Sequence, residues 1–279
     1  MPRVITSMTT TPPRASKIGP AVKSILQQSH PPHVLVIGIP AAYPRFPDSD
    51  VRAVEADIPE WVRLHPHVRV LRLDQDYGPA SKLVAGLQFA QAEADDTSVV
   101  VVTVDDDIVY LPGMLDTLVQ RARGNPGCAL GYRGFTLAGD GEDQRAITPS
   151  RLMQDVQVLE GFSMVLYPCA CFHPLNDFKA YLRQCGACLE CFTSDDLTIS
   201  TYLEKQGIRR ISVDPRVTAA LFNLQCITPL GLGQDALHLG AGGAVTTNIA
   251  KRYSVALRQI QAANSCAGQE EGSRAEEGL

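Results

Sequence analysis

The sequence predicts an α/β fold built on a central, mostly parallel sheet flanked by helices. Three observations carry that prediction. Strand-like and helix-like stretches alternate from the N-terminus onward, the order that a parallel sheet with crossover helices requires. The run Ser98-Val-Val-Val-Val-Thr-Val-Asp-Asp-Asp107 is continuously apolar and β-branched before its acids, which suits a strand buried on both faces. The run then ends in three carboxylates, and buried strands in open α/β sheets deliver ligand-binding residues at their carboxyl ends.

Taken in order, Arg3 to Met8 reads as a first strand and Thr9 to Arg14 as a loop. Ala15 to Gln28 carries Ile18, Ala21, Val22, Ile25 and Leu26 at helical spacing. Pro31 and Pro32 stop that helix, and His33 to Ile39 forms a second strand. Pro40 to Pro66 is a long proline-rich connection with a helical turn around Trp61. Val68 to Leu73 is a third strand, Ser81 to Ala92 a helix, and the valine run a fourth strand. Leu111 to Val119 opens another helix. Beyond it, Cys128 to Phe135 and Val156 to Tyr167 read as strands, separated by a polar loop from Ala138 to Arg151. Phe178 to Gln184 looks helical. Ser194-Asp-Asp-Leu197 offers a helix cap with acids in the first turn; that helix runs to Lys205 and ends at Gly207. Ile208 to Val213 is a short strand, Gly231 to Asn248 is glycine-rich, Ile249 to Ala262 is helical, and the polar tail from Ser265 lacks a core pattern.

Composition narrows the function classes. With 279 residues, 45% of them hydrophobic, the chain can bury a sizeable core. The net charge of −5 shows no basic excess, so nucleic acid is not an expected partner. No apolar run approaches the roughly 18–20 residues that cross a bilayer. The first residues enter a strand without a basic-then-apolar leader, and the expectation is a soluble, cytoplasmic protein with no membrane span.

The acidic triplet is the strongest chemical signal. Three carboxylates this close raise one another's pKa unless a cation joins them. A hard divalent ion, Mn²⁺ or Mg²⁺, completed by phosphate oxygens, is the natural partner. The competing reading is a solvated turn capping the helix that begins near Leu111. Three acids directly after a buried strand favour the functional reading. The eight cysteines include Cys185, Cys188 and Cys191, spaced in threes, with Cys169, Cys171 and His173 before them. Their interleaving with Leu189 and Phe192 favours small core residues over a metal centre or disulfides.

Five segments then fall in a telling order: the Ser7-Met-Thr-Thr10 loop, Asp76-Tyr-Gly-Pro-Ala-Ser-Lys82, Asp105-Asp-Asp107, Glu160-Gly161 and Ser194-Asp-Asp196. Together they resemble a nucleotide-sugar-dependent glycosyltransferase of the GT-A fold, close to the inverting family-two-like enzymes and similar to chlorella-virus capsid glycosyltransferase domains. The resemblance spans Val4 to Tyr253 and implies one domain over residues 1–262. Its nucleotide-binding half runs to about residue 110, its acceptor and catalytic half from about 111, and residues 263–279 form a disordered tail.

The resemblance also implies roles. Asp107 and Asp105 hold the metal, with His238 of the glycine-rich stretch as a late ligand. Asp105 and Asp106 approach the donor, together with Thr9, Thr10, Arg14, Asp76, Gly78 and Lys82. Glu160 and Gly161 contact the sugar or acceptor. Asp196 is the base that deprotonates the acceptor hydroxyl, with Asp195 orienting it or replacing it. The expected partners are a nucleotide-sugar donor, UDP-sugar favoured, and a glycan, protein-linked glycan or small hydroxyl acceptor. Two alternatives stay open. A haloacid-dehalogenase-like phosphatase would use Asp105 as nucleophile and Asp107 as acid/base, and a non-catalytic nucleotide-sugar binding module would need no base.

Overall fold

A computed structural model describes residues 2–93, 99–138, 145–147, 153–213 and 227–229. The glycine-rich stretch, the helix expected from Ile249, the tail and His238 lie outside these residues.

Strands β1 (Val4–Thr9), β2 (Val34–Pro40), β3 (Val68–Leu73) and β4 (Val100–Thr103) pair in parallel. The helices between them are α1 (Gly19–Leu26), α2 (Val51–Asp57), α3 (Glu60–Arg63) and α4 (Ser81–Glu93). After β4 come β5 (Ile108–Tyr110), α5 (Met114–Arg123), β6 (Ala129–Gly131), β7 (Gly134–Ala138), β8 (Arg145–Ile147), β9 (Gln154–Asp155), β10 (Val158–Leu159) and β11 (Val165–Pro168). The remainder is α6 (Leu175–Gly186), α7 (Leu189–Phe192), α8 (Asp195–Lys205), β12 (Arg210–Ser212) and β13 (Ile227–Pro229). The main sheet runs β3-β2-β1-β4-β11-β6-β12-β9. In it β11 is antiparallel to both β4 and β6, and β9 is antiparallel to β12.

The valine run behaves as its composition requires. Val100, Val102 and Val104 enter one core with α1, α5 and the β2–β3 connection, while Val99 and Val101 enter the other with α4, α6 and α8. Alternate residues of one strand thus fill both layers of a three-layer structure.

Helix α4 lies unusually close to the sheet. A Cβ on Gly86 would come within 2.5 Å of Val101 Cγ1 and 2.9 Å of Ser7 Cβ. Ser7 Oγ donates to the Lys82 carbonyl at 2.6 Å. Close approach at Gly86 and this tie at the first turn carry the Lys82 side chain beneath the sheet's carboxyl edge.

Several expected elements divide. The helix expected from Ala15 begins as a short 3₁₀ turn, Ala15–Lys17, and becomes α-helical only at Gly19. The long connection holds two helices: α2, capped where the Asp50 carboxylate accepts the Arg52 N–H at 2.9 Å, and α3 around Trp61. Val54, Ile58 and Val62 bury there. The polar loop after Ala138 contains β8, paired with β7. The stretch Val156 to Tyr167 is two strands, not one. β10 pairs with β7 in a three-stranded sheet, a 3₁₀ turn spans Gly161–Ser163, and Met164 takes φ 71° before β11 joins the main sheet. That break places Glu160 and Gly161 on a corner.

Candidate active site

The site forms where the strand order reverses. β1 lies between β2 and β4, and open α/β sheets bind ligands outside the carboxyl ends of their strands at such a switch point. The Val104 N–H still donates to the Ser7 carbonyl, at 3.0 Å, and then β4 releases the acids. The Asp105 N–H donates to Tyr110 Oη at 2.9 Å, and that hydroxyl donates to the Phe162 carbonyl at 2.9 Å. One tyrosine therefore ties the acidic turn to the corner bearing Glu160 and Gly161.

The three consecutive aspartates face different partners. Asp106 is only 4% exposed; it accepts from Thr10 Oγ1 at 2.6 Å and pairs with Arg14 Nη1 at 3.2 Å. Burial pushes its carboxyl up to about 6, against the pull of Arg14 and Thr10. Asp106, expected among the donor-binding residues, ties the loop after β1 to the end of β4 from inside. Asp105 and Asp107 keep partial exposure. Asp107 pairs with Arg14, and burial followed by the charge of Asp105 raises its pKa.

Lys82 organises the other side. Its Nζ, in a side chain 6% exposed, lies 2.7 Å from Asp105 Oδ1 and 3.0 Å from Asp195 Oδ2. Burial works against the ammonium, yet Asp105, Asp195 and Asp196 outweigh it and hold its pKa well above the ordinary lysine value. Asp196 Oδ1 accepts the Gly161 N–H at 2.8 Å. Burial, then the neighbouring Asp195, push the Asp196 carboxyl well above the usual range. A Cβ at Gly161 would sit 3.0 Å from both Asp196 Oδ1 and Lys82 Nζ, so a side chain there would press on both.

Other expected residues are placed as follows. Thr9 Oγ1 donates to the Gly38 carbonyl at 2.8 Å, and Tyr43 Oη donates to the Thr10 carbonyl at 3.2 Å. Asp76 Oδ1 accepts the Gly78 N–H at 2.8 Å, and burial raises its pKa, opposed by Arg45. Gly78 has φ 63°, and a Cβ there would meet the Phe192 carbonyl at 2.5 Å. Only glycine suits both demands. Glu160 pairs with Arg133 Nε at 2.5 Å, and burial raises its carboxyl against that guanidinium.

Sequence reasoning missed Tyr110, Arg45 and Arg133. Arg133 lies over the Phe162 ring at 5.5 Å and Arg45 over Phe192 at 5.8 Å. Their only local signal is a cation in a loop rich in aromatic or turn residues. A cavity of about 450 Å³ opens beyond β2, lined by Tyr43, Phe46, Asp50, Arg52 and Arg72 among others, and includes none of Asp76, Asp105, Asp106, Asp107, Glu160, Asp195 and Asp196.

Among the described residues no three His, Cys, Asp or Glu side chains converge as metal ligands would. The expected set of Asp107, Asp105 and His238 is therefore incomplete here, His238 lying outside the described residues. Two partly exposed, mutually repelling carboxylates still fit a hard divalent ion that takes its other oxygens from phosphate or water. In this structure Lys82 and Arg14 neutralise those carboxylates. Cys185 and Cys191 lie in the core with α6 and α8, and the six described cysteines are free thiols.

The fold is GT-A, an α/β architecture with a central mixed sheet flanked by helices. The family model described as Glycosyl transferase family 2 matches residues 47–180, just under half of the chain, and supports a nucleotide-sugar glycosyltransferase. The matched span contains Asp76, Lys82, the aspartate triplet and Glu160-Gly161; Thr9, Thr10, Arg14, Asp195 and Asp196 lie outside it. No curated protein matches the chain. The phosphatase alternative needs the strand before Asp105 to open the domain, whereas β1, β2 and β3 precede it. No described helix is long and apolar enough to cross a membrane.

Proposed function

We propose that this protein transfers a sugar from a nucleotide diphosphate-sugar, a UDP-sugar by preference, to a hydroxyl acceptor with inversion, using Mn²⁺ or Mg²⁺. The observation that carries the reading is the buried Lys82 ammonium with Asp105, at the end of β4, on one side and the first-turn acids of α8 on the other. Donor-side and acceptor-side carboxylates thereby meet at the switch point.

Asp107 and Asp105 would hold the ion, which when bound neutralises charge on the departing diphosphate as a Lewis acid. Arg14 and Lys82, now paired with those carboxylates, supply further positive charge toward the diphosphate. Thr9, Thr10 and Asp76 face the nucleotide, and the turn at Gly78 leads the phosphates toward the start of α4. Asp196 takes the proton of the acceptor hydroxyl. Its raised pKa makes it a stronger base than an exposed aspartate, and the Gly161 N–H holds the carboxylate in place. Asp195 stays on Lys82 and orients the pair, while Glu160, steadied by Arg133, meets the acceptor.

The test is a thermal-shift screen of nucleotide sugars with and without Mn²⁺, followed by donor hydrolysis and transfer assays. Asp107→Ala is expected to lose metal-dependent donor binding. Asp196→Asn is expected to bind donor normally and to lose orders of magnitude in turnover. An Asp107→Ala protein that still shows the full Mn²⁺-dependent shift overturns the metal assignment. Donor binding without turnover, unchanged in Asp196→Asn, would leave a binding module instead.

A further inference from the structure

We infer that Cys188 and Cys191 form a redox-active pair, in which a hydroperoxide oxidises Cys188 and Cys191 resolves it to a disulfide. The motif Cys188-Leu-Glu-Cys191 straddles the start of α7. Cys188 is the cap residue with extended backbone, and Cys191 lies one turn further in. Residues three apart at a helix start lie on one side of it, and the Cys188 carbonyl accepts the Phe192 N–H at 2.9 Å, closing the first turn around Cys191. Both are free.

Exposure separates their roles. Cys188 is half-buried, and its Sγ donates to Glu190 Oε2 at 3.3 Å. A small oxidant can reach it, and a carboxylate stands ready for its proton. Cys191 is 2% exposed, and burial keeps it protonated until an electrophilic sulfur forms beside it. Cys185, 4% exposed, is pushed up to about 11 by burial, which makes it the spectator.

The chemistry balances. The Cys188 sulfur attacks the peroxide O–O bond, giving a sulfenic acid and releasing an alcohol, or water from hydrogen peroxide. The Cys191 sulfur then attacks Cys188, the S–O bond breaks, and the hydroxyl leaves as water with the Cys191 proton. Two thiols are oxidised and one peroxide is reduced. The pair lies at a corner that matters, because the next residue, Phe192, closes on Gly78 and lies beneath Arg45.

The test treats the full chain with graded hydrogen peroxide, then alkylates and digests it with trypsin. The peptide from Gln184 to Lys205 contains all three thiols. It should lose two alkylation sites and the mass of two hydrogen atoms, reversibly with dithiothreitol. Cys185→Ser should behave in the same way. Cys191→Ser should instead accumulate a Cys188 sulfenic acid captured by dimedone. A disulfide containing Cys185, or oxidation of Cys169 and Cys171 while the peptide keeps three free thiols, overturns the assignment.

Discussion

Removing the Lys82 ammonium should destabilise the protein by an amount that can be worked out from its surroundings. Its side chain is 6% exposed, between Asp195 at 11% and Asp105 at 29%. Lys82→Ala strands both carboxylates. Deleting one partner of a buried ion pair costs about 3–5 kcal/mol. Water can reach Asp105 and screen it, so the low end, about 3 kcal/mol, is the better figure. For a chain of this size, each kcal/mol lowers Tm by about 2–4 °C, which gives a drop of about 6–12 °C. Thermal denaturation followed by circular dichroism at neutral pH measures it. The control is the double variant Lys82→Ala/Asp195→Asn, in which the more deeply buried of the two stranded charges is gone. Its stability should exceed the additive expectation by about 1–3 kcal/mol. A Lys82→Ala protein melting within about 2 °C of the parent, or strict additivity in the cycle, would refute the view that Lys82 joins β4 to α8 electrostatically.

Asp196 offers a pH-dependent test. Its native carboxyl is raised, so the folded state binds this proton more tightly than the unfolded chain. Stability attributable to it is therefore highest below the unfolded value of about 4 and falls as pH rises toward the native one. Asp196→Asn keeps an oxygen for the Gly161 N–H and should raise Tm more at pH 8 than at pH 4, while abolishing transfer; an equal shift at both values contradicts the raised pKa. Gly86→Ala forces a methyl to within 2.5 Å of Val101 Cγ1 and should cost about 1–3 kcal/mol through overpacking. Urea unfolding measures that cost, and a neutral result would mean that α4 can lift from the sheet.

Much of this architecture was legible because it depends on local pattern. The valine run reports its own double burial, and Ser194-Asp195-Asp196 announces the start of α8. Misreadings arose where a segment serves two sheets. Val156 to Tyr167 is uniformly strand-like, yet the φ of Met164 and the turn at Gly161 divide it between sheets. Nothing in hydrophobic pattern encodes that division, because both halves are apolar and buried. Arg145–Ile147 was hidden for the opposite reason: a polar strand gains its order from pairing with β7, not from its own composition.

The candidate site divides along the same line. Sequence alone determined that acids would cluster at the tip of a buried strand and that a second acidic pair would open a late helix, while the meeting of Lys82 and Arg14 with those acids was only an expectation beside the family resemblance. Chain order and residue type carry those facts. Only the tertiary structure decided that Asp106 turns inward to Thr10 and Arg14 while Asp105 and Asp107 keep exposure, and that one ammonium holds both Asp105 and Asp195. Those assignments depend on which way each side chain leaves the strand end and on what distant segments bring to meet it. The energy of a charge depends on its neighbours in space, and here they come from residues tens of positions away along the chain.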